Sequence, residues 1–395
     1  MKKIRVGLVG AGFVSHIHLD AYLHNREFFE VKAVCARHVE NAERLSKKYG
    51  IPIVCKDMDE LVSHPEVDVV DVCVPTSVHD EAILKAFENR KHVICEKPLT
   101  GYFGEDLSNI EKVGEVDKSL MFAQVKEKIK KLESKLKDSG VKFMYAENFV
   151  YAPPVSKAKR LLAEAKAPIL ELRAEESHSG SHAAYSRKWR SAGGGSLLRM
   201  GSHPVGAVLH LKHFEGKTLY GEPIRPKSVV AEIGYLTKTQ RFQSEEKHYI
   251  ASDWFDVEDW SCVIINFEDA TKAVVFSNDI SLGGVKNLVQ INTSKGMIYC
   301  NITPNNTVMA YAPETRIWGN EYIAEKIETK AGWTFPFPDE DWIRGYPQEM
   351  RDFARTILED KEPESGFDLA KETTLVIYAG YLSSQTGKRV VLNLG

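Results

Sequence analysis

No apolar run in this chain approaches the roughly 18 residues that would suggest a membrane span. Neither sign of charge is in excess: 52 Lys and Arg stand against 55 Asp and Glu, for a formal net charge of −3. That balance gives no field suited to nucleic acid or an anionic membrane. The most basic stretch, 126–137, is mixed with Glu127 and Glu133. Its apolar residues Ile129, Leu132 and Leu136 follow Val125 at helical spacing, which predicts a solvated amphipathic helix face. Cysteine is sparse, six in 395 residues, and no two form a Cys-x-x-Cys pair. This excludes a disulfide scaffold and points to reduced core thiols in a cytoplasmic protein. Internal repeats and low-complexity tracts are also lacking. The opening Met-Lys-Lys and its apolar residues reach only Gly10 and Gly12, with no typical cleavage region, so they read as a first strand rather than a leader.

What is present is enough chain for two domains, at roughly 100–200 residues each. The first 124 residues alternate short apolar strands (3–9, 31–36, 52–55, 67–74, 92–95) with helical segments. A helix at 125–139 and a strand at 142–147 complete the pattern. Apolar strands separated by helices predict a parallel sheet covered on both faces, with its ligand outside the carboxyl ends of the strands. After about Tyr151 the pattern changes. A helix at 155–165 is followed by strands at 169–175, 228–235, 261–267, 271–279, 287–292 and 296–301, then by helices at 347–358 and 368–384. Alternation such as Val263, Ile265 and Phe267 suits an antiparallel sheet with one covered face. The expected division is 1–150, a dinucleotide-binding domain, and 151–395, a substrate-binding and oligomerisation domain whose last helices pack back on the first.

Gly10-Ala-Gly12-Phe13-Val14-Ser15 fits the G-x-G-x-x-G/A fingerprint except at its third position. Gly10 permits the tight turn, Gly12 admits a pyrophosphate, and the helix that opens with Phe13 and Val14 offers free N–H groups. The second strand ends Cys35-Ala-Arg37-His38, without the carboxylate that would bind an NAD ribose; Arg37 is suited to the 2′-phosphate of NADP or is a surface residue without that role. Two further segments carry chemistry. Glu96-Lys97-Pro98 places a cation at the end of a buried strand. Gly193-Gly-Gly-Ser-Leu-Leu-Arg199-Met-Gly-Ser-His203-Pro delivers a histidine from elsewhere in the chain. A lysine can stabilise charge developing on an oxygen, and a histidine can take a hydroxyl proton near neutral pH.

Taken together, these segments resemble the Gfo/Idh/MocA oxidoreductases, named for glucose–fructose oxidoreductase, inositol 2-dehydrogenase and a rhizopine-catabolism protein. The resemblance includes Gly10-x-Gly12 with His18 six residues on, Val74-Pro-Thr-Ser-Val-His79, Glu96-Lys97-Pro98, Trp189-Arg190 before the three glycines, and Gly201-Ser-His203. It continues with Gly345-Tyr-Pro-Gln-Glu-Met-Arg-Asp-Phe353 and Ala379-Gly-Tyr-Leu-Ser383. It implies a Rossmann domain followed by a large open-faced, mainly antiparallel sheet that supports a homo-oligomer, dimer or tetramer. It implies that Pro75, Thr76, His79, Glu96 and Lys97 line a cleft for NAD or NADP, and that Lys97 and His203 are catalytic.

Three departures from the family pattern stand out. Arg199 occupies the position, four residues before the histidine, where many members carry aspartate. It either binds an anionic substrate group or bridges to Glu175 or Glu176. Phe149 and Val150 stand where arginines are common, leaving Asn148 and Tyr151 as contacts to substrate or nicotinamide. Glu175-Glu176-Ser-His178-Ser-Gly-Ser-His182 gathers polar side chains at a strand end. The readings open for it are a pocket for substrate hydroxyls, a solvated loop, or a metal held by His178 and His182; the family usually needs no metal.

The leading expectation is an NAD(P)-dependent dehydrogenase of a sugar, sugar derivative, inositol or glycoside. The alternative with the same first step is an NAD-dependent glycosidase that oxidises, eliminates and re-reduces. A cofactor-sensing regulator is disfavoured because it would be expected to lose Lys97 or His203.

Overall fold

The computed structural model of the chain describes residues 3–393 apart from 108, 182 and 304–306. Six strands form the first sheet: β1 (Ile4–Val9), β2 (Phe29–Cys35), β3 (Ile53–Val54), β4 (Val69–Val72), β5 (His92–Glu96) and β6 (Phe143–Ala146). Their order is β3-β2-β1-β4-β5-β6 and every pairing is parallel. The helices α1 (Phe13–His24), α2 (Val39–Tyr49), α3 (Met58–Ser63), α4 (His79–Glu88) and α5 (Lys118–Ser139) connect them. Strands such as Val69–Val72 are buried at every position because helices cover both faces. The order reverses between β1 and β4, so the carboxyl ends of these two strands open a crevice. Helix α5 begins about two turns before its amphipathic repeat, because Asp117 accepts from the N–H groups of Ser119 and Leu120.

A second, seven-stranded sheet has the order β12-β11-β7-β10-β9-β8-β15. Its strands are β7 (Ile169–Ser177), β8 (Pro226–Gly234), β9 (Trp260–Phe267), β10 (Lys272–Asn278), β11 (Lys286–Thr293), β12 (Met297–Asn301) and β15 (Val390–Val391). All pairs are antiparallel except β7 with β10. A hairpin of β13 (Ala310–Ala312) and β14 (Gly332–Thr334) stands apart. After α6 (Pro153–Ala165) come two single turns, α7 (Trp189–Ala192) and α8 (Ser196–Arg199), then the long α9 (Ser202–Tyr220). The remaining helices are α10 (Gln240–Gln243), α11 (Glu340–Arg344), α12 (Tyr346–Leu358) and α13 (Phe367–Thr386).

Val263, Ile265, Ala273, Val275, Val289 and Ile291 are buried on one face of this sheet, which α9 and α13 cover. The alternate positions Ile264 and Phe276 on the other face are exposed. Helix α13 also packs against α5 and β6, so it is buried between the two sheets. There the Tyr378 hydroxyl accepts from the Tyr102 N–H and donates to the Gly193 carbonyl, both at 2.7 Å. Among the described residues, no helix is long and apolar enough to cross a membrane.

Candidate active site

At the crevice, Gly10 takes φ +117°, and a Cβ there would lie 2.2 Å from the Cys73 carbonyl oxygen at the end of β4. Only glycine fits. A Cβ on Gly12 would meet nothing within 4 Å, so that backbone faces open space. Gly12 starts α1 with no side chain capping its N–H groups, and Phe13 beside it is 69% exposed. An open cradle, uncapped helix donors and an exposed aromatic fit a dinucleotide whose pyrophosphate takes those donors. Val14 is half-buried in the same turn, Arg37 and His38 are exposed beyond β2, and Pro75 and Thr76 begin the turn after β4.

Two expected cofactor contacts are corrected. His79 is buried, with Nδ1 2.9 Å from the Pro98 carbonyl oxygen and Nε2 2.9 Å from that of Val74. It ties two loops together and does not face the cleft. Glu96 points inward, with Oε1 2.9 Å from Nε2 of His18, while Oε2 accepts from the Lys97 N–H. The other nitrogen of His18 meets Asp71 at 2.9 Å, and the Tyr22 hydroxyl donates to the same carboxylate. This buried network fixes the backbone from which Lys97 projects.

Lys97 donates from Nζ to the Arg199 carbonyl oxygen at 2.8 Å, which joins the end of β5 to the segment leading into α9. His203 is the second residue of α9. Its ring stacks on Phe149, with centroids 4.8 Å apart and planes inclined by 12°. Nδ1 lies 2.7 Å from Oε1 of Glu147, just past β6. Nε2 lies 3.9 Å from Oε2 of Glu176, near the end of β7. Glycine at 206 makes the first carboxyl possible, since a Cβ there would come within 2.9 Å of the Glu147 Cγ.

Burial pushes the His203 pKa well down, helped by Lys97 and Arg344. Burial likewise pushes Glu147 well above the usual carboxylate range, and Glu176 up to about 7. Oε2 of each carboxyl is buried without a hydrogen-bond partner among the described residues. Burial therefore disfavours the charged form of all three groups.

Around it, charges cancel in pairs. Arg199 reaches neither Glu175 nor Glu176; Nη2 meets the fully buried Asp279 at 2.5 Å, and the guanidinium lies 4.9 Å from the Trp254 ring centre. Of the two readings open for Arg199, an anion-binding group or a bridge to Glu175 or Glu176, the structure shows a carboxylate bridge, made to Asp279 instead. Arg199 and His203 also lie on separate helices, broken at Met200 and Gly201. Arg344 of α11 pairs with Glu325 at 2.6 Å and Glu340 at 2.5 Å.

Tyr151 is corrected too. It is buried, its hydroxyl donating to Asp352 and accepting from the Ser365 N–H, so it braces α12 instead of facing substrate. Asn148 is similarly used, donating to the Arg344 carbonyl. His178 lies beside Asp279, with Nδ1 accepting from the Gly180 N–H, and burial pushes its pKa down to about 3. His182 lies outside the described residues, and so does any pairing of it with His178.

Glu147, Asp279 and Arg344 were not singled out from sequence. A carboxylate closing an apolar strand run is a usable signal for Glu147 and Asp279. Arg344 has none, since it arrives from the far end of the chain.

Residues 4–121 match the family model described as the oxidoreductase family with an NAD-binding Rossmann fold. The levoglucosan dehydrogenase of Pseudarthrobacter phenanthrenivorans is 28% identical over 224 residues, 53% of this chain and 52% of that protein. The D-glucoside 3-dehydrogenase of Escherichia coli is 38% identical over 95 residues, 24% of this chain and 27% of that one. The chain thus spans about half the length of the first relative and about a quarter of the second. Two solved structures share the fold over nearly all of the chain. GenD2 from gentamicin A biosynthesis, in complex with NAD, superimposes with a TM-score of 0.78 at 21% identity, covering 100% of this chain and 97% of that one. The scyllo-inositol dehydrogenase of Lactobacillus casei, with NAD(H) and scyllo-inositol, gives 0.72 at 17% identity, with 99% of each covered. Over residues 4–121, the chain is thus similar to the Gfo/Idh/MocA oxidoreductase family.

Proposed function

We propose that the protein is an NAD(P)-dependent dehydrogenase that oxidises a secondary hydroxyl of a neutral sugar, inositol or glycoside. The observation that carries this reading is that Lys97, from the end of β5, reaches the segment leading into α9 and acts electrostatically on His203 and its two carboxyl neighbours. Gly10, Gly12, Phe13, Val14, Pro75 and Thr76 would hold the dinucleotide, which when bound supplies the acceptor for a hydride. The Lys97 ammonium holds the substrate oxygen and stabilises charge developing there. The acid/base group is His203 together with the carboxyls at its ring nitrogens.

Neutral polyols suit the site because Arg199 and Arg344 are already neutralised by carboxylates. Glu176 and His178 offer hydrogen bonds to further hydroxyls. Arg37, exposed and with no carboxylate in the run 35–38, supports NADP. The exposed apolar face of the second sheet supports a homo-oligomer.

The test incubates the protein with NAD or NADP and levoglucosan, myo-inositol, aryl glucosides and their uronates, reading reduced cofactor and released aglycone together. Reduced cofactor forming with a neutral substrate is expected, and lost in Lys97→Ala. Turnover of uronates alone would overturn the neutral class. Aglycone release without reduced cofactor would replace the dehydrogenase by a redox-assisted glycosidase.

A further inference from the structure

The three-glycine turn that leads toward His203 is held by one residue from outside the site. Glu258, fully buried just before β9, grips it twice. Its backbone carbonyl accepts from the Ser196 N–H at 3.0 Å. Its carboxyl accepts from the N–H groups on either side, Gly195 to Oε2 and Leu197 to Oε1, each at 2.9 Å. The Tyr381 hydroxyl of α13 donates to the same Oε1 at 2.8 Å. So close an approach needs glycine at 195, where a Cβ would lie 2.0 Å from the Glu258 carbonyl oxygen.

Three consecutive N–H groups therefore converge on one residue. They open α8, where a helix has no internal partners for its first donors. One turn on, the Arg199 N–H donates to the Gly195 carbonyl at 3.0 Å. The Arg199 carbonyl is in turn the acceptor for Lys97 Nζ. The place of that carbonyl thus follows the place of Gly195. An ammonium carries three hydrogens. The one given to Arg199 fixes the directions of the other two, which are those left for a substrate oxygen.

Resting on the dehydrogenase reading above, we infer that Glu258 is a positioning residue for Lys97: by gripping residues 195–197 it places the Arg199 carbonyl oxygen that aims the ammonium at the substrate. Glu258 takes no part in the proton or hydride transfer and acts through the backbone alone. In Glu258→Gln one carboxyl oxygen becomes an amino group facing an N–H, so one of the grips on the turn is lost. Asp259 gives the contrast. Its carboxyl is also buried, but it accepts from the N–H groups of Leu236 and Thr237, each at 2.8 Å, on a loop outside the Arg199 segment.

Two measurements test this. The first needs neither cofactor nor substrate: each lysine is trace-labelled with acetic anhydride and quantified by mass spectrometry, with the exposed Lys130 as internal reference. Glu258→Gln should raise the labelling of Lys97 relative to Lys130 several-fold. Tyr381→Phe, which keeps both N–H bonds, should raise it less. Asp259→Asn should lower the urea midpoint yet leave the ratio at its wild-type value. The second is steady-state kinetics with a neutral substrate. Glu258→Gln should lower kcat by about tenfold or more, with the KM for dinucleotide unchanged, while Asp259→Asn alters neither. A Lys97 ratio that stays at the wild-type value in Glu258→Gln, or rises equally in Asp259→Asn, overturns the inference, and so does an unchanged kcat. If Glu258→Gln does not fold, Tyr381→Phe decides by the same two readings, and an unchanged ratio or kcat there overturns it. A wild type that oxidises nothing in the panel overturns the dehydrogenase reading, and the labelling then still decides whether Glu258 holds Lys97 in place.

Discussion

Removing the Arg199 side chain would leave Asp279, fully buried, without its cation. Breaking a buried pair from one side typically costs about 3–5 kcal/mol, because the remaining charge stays desolvated. Burial already pushes the Asp279 pKa up against the opposing pull of Arg199. Arg199→Ala is therefore expected to lower the urea midpoint strongly, whereas Arg199→Met with Asp279→Leu recovers most of it. Equal stability of Arg199→Ala and wild type would show that the pair is not a structural brace. The same comparison bears on substrate choice, since an arginine committed to Asp279 leaves no free guanidinium for an anion. From sequence, the cation was legible and its partner was not. Asp279 lies 80 residues away, at the end of a strand that enters the second sheet beside β7.

At the scale of elements, the turn before α1 separates fold from function. The Cβ added by Gly12→Ala meets no protein atom, so the melting temperature should stay at the wild-type value. The same methyl occupies the approach to the phosphate donors. Dinucleotide binding, read by quenching of tryptophan fluorescence, should weaken by at least about tenfold. Unchanged binding would show that the pyrophosphate lies elsewhere.

The neighbouring network predicts a pH effect on stability. Burial alone would lower the His18 pKa, but Asp71 holds it well above the ordinary value. A raised folded-state pKa contributes stability that is complete below about 6.5 and is lost as pH rises through the folded value. The urea midpoint should therefore fall on the alkaline side, with a shallower fall in His18→Gln. A flat midpoint into alkaline conditions would rule out a charged His18.

The periodicity of the sequence foresaw most strands and the helices of the first sheet. It did not indicate α9 as a long helix. That helix is buried on nearly every side, so its sequence carries no amphipathic stripe to read.

For the molecule as a whole, the second sheet leaves Ile264, Phe276, Tyr299 and Met297 exposed on one open face. Phe276→Glu together with Ile264→Lys should shift a homo-oligomer toward monomer in light scattering, with the covered face of the sheet undisturbed. A wild type that is already monomeric would end the oligomer reading.

The sequence by itself determined the elements whose cause is local. The glycine turn, the apolar parallel strands, the alternating strands of the second half and the positions of Lys97 and His203 all follow from residue type and spacing. What only the tertiary structure decided are the side-chain partnerships. Glu147 meets His203 across 56 residues, Lys97 meets Arg199 across 102, and Asn148 meets Arg344 across 196. Spacing along a chain cannot report which strand ends converge. Nor can it report whether a carboxyl is dry enough to keep its proton, because burial is a property of the packed layers around it.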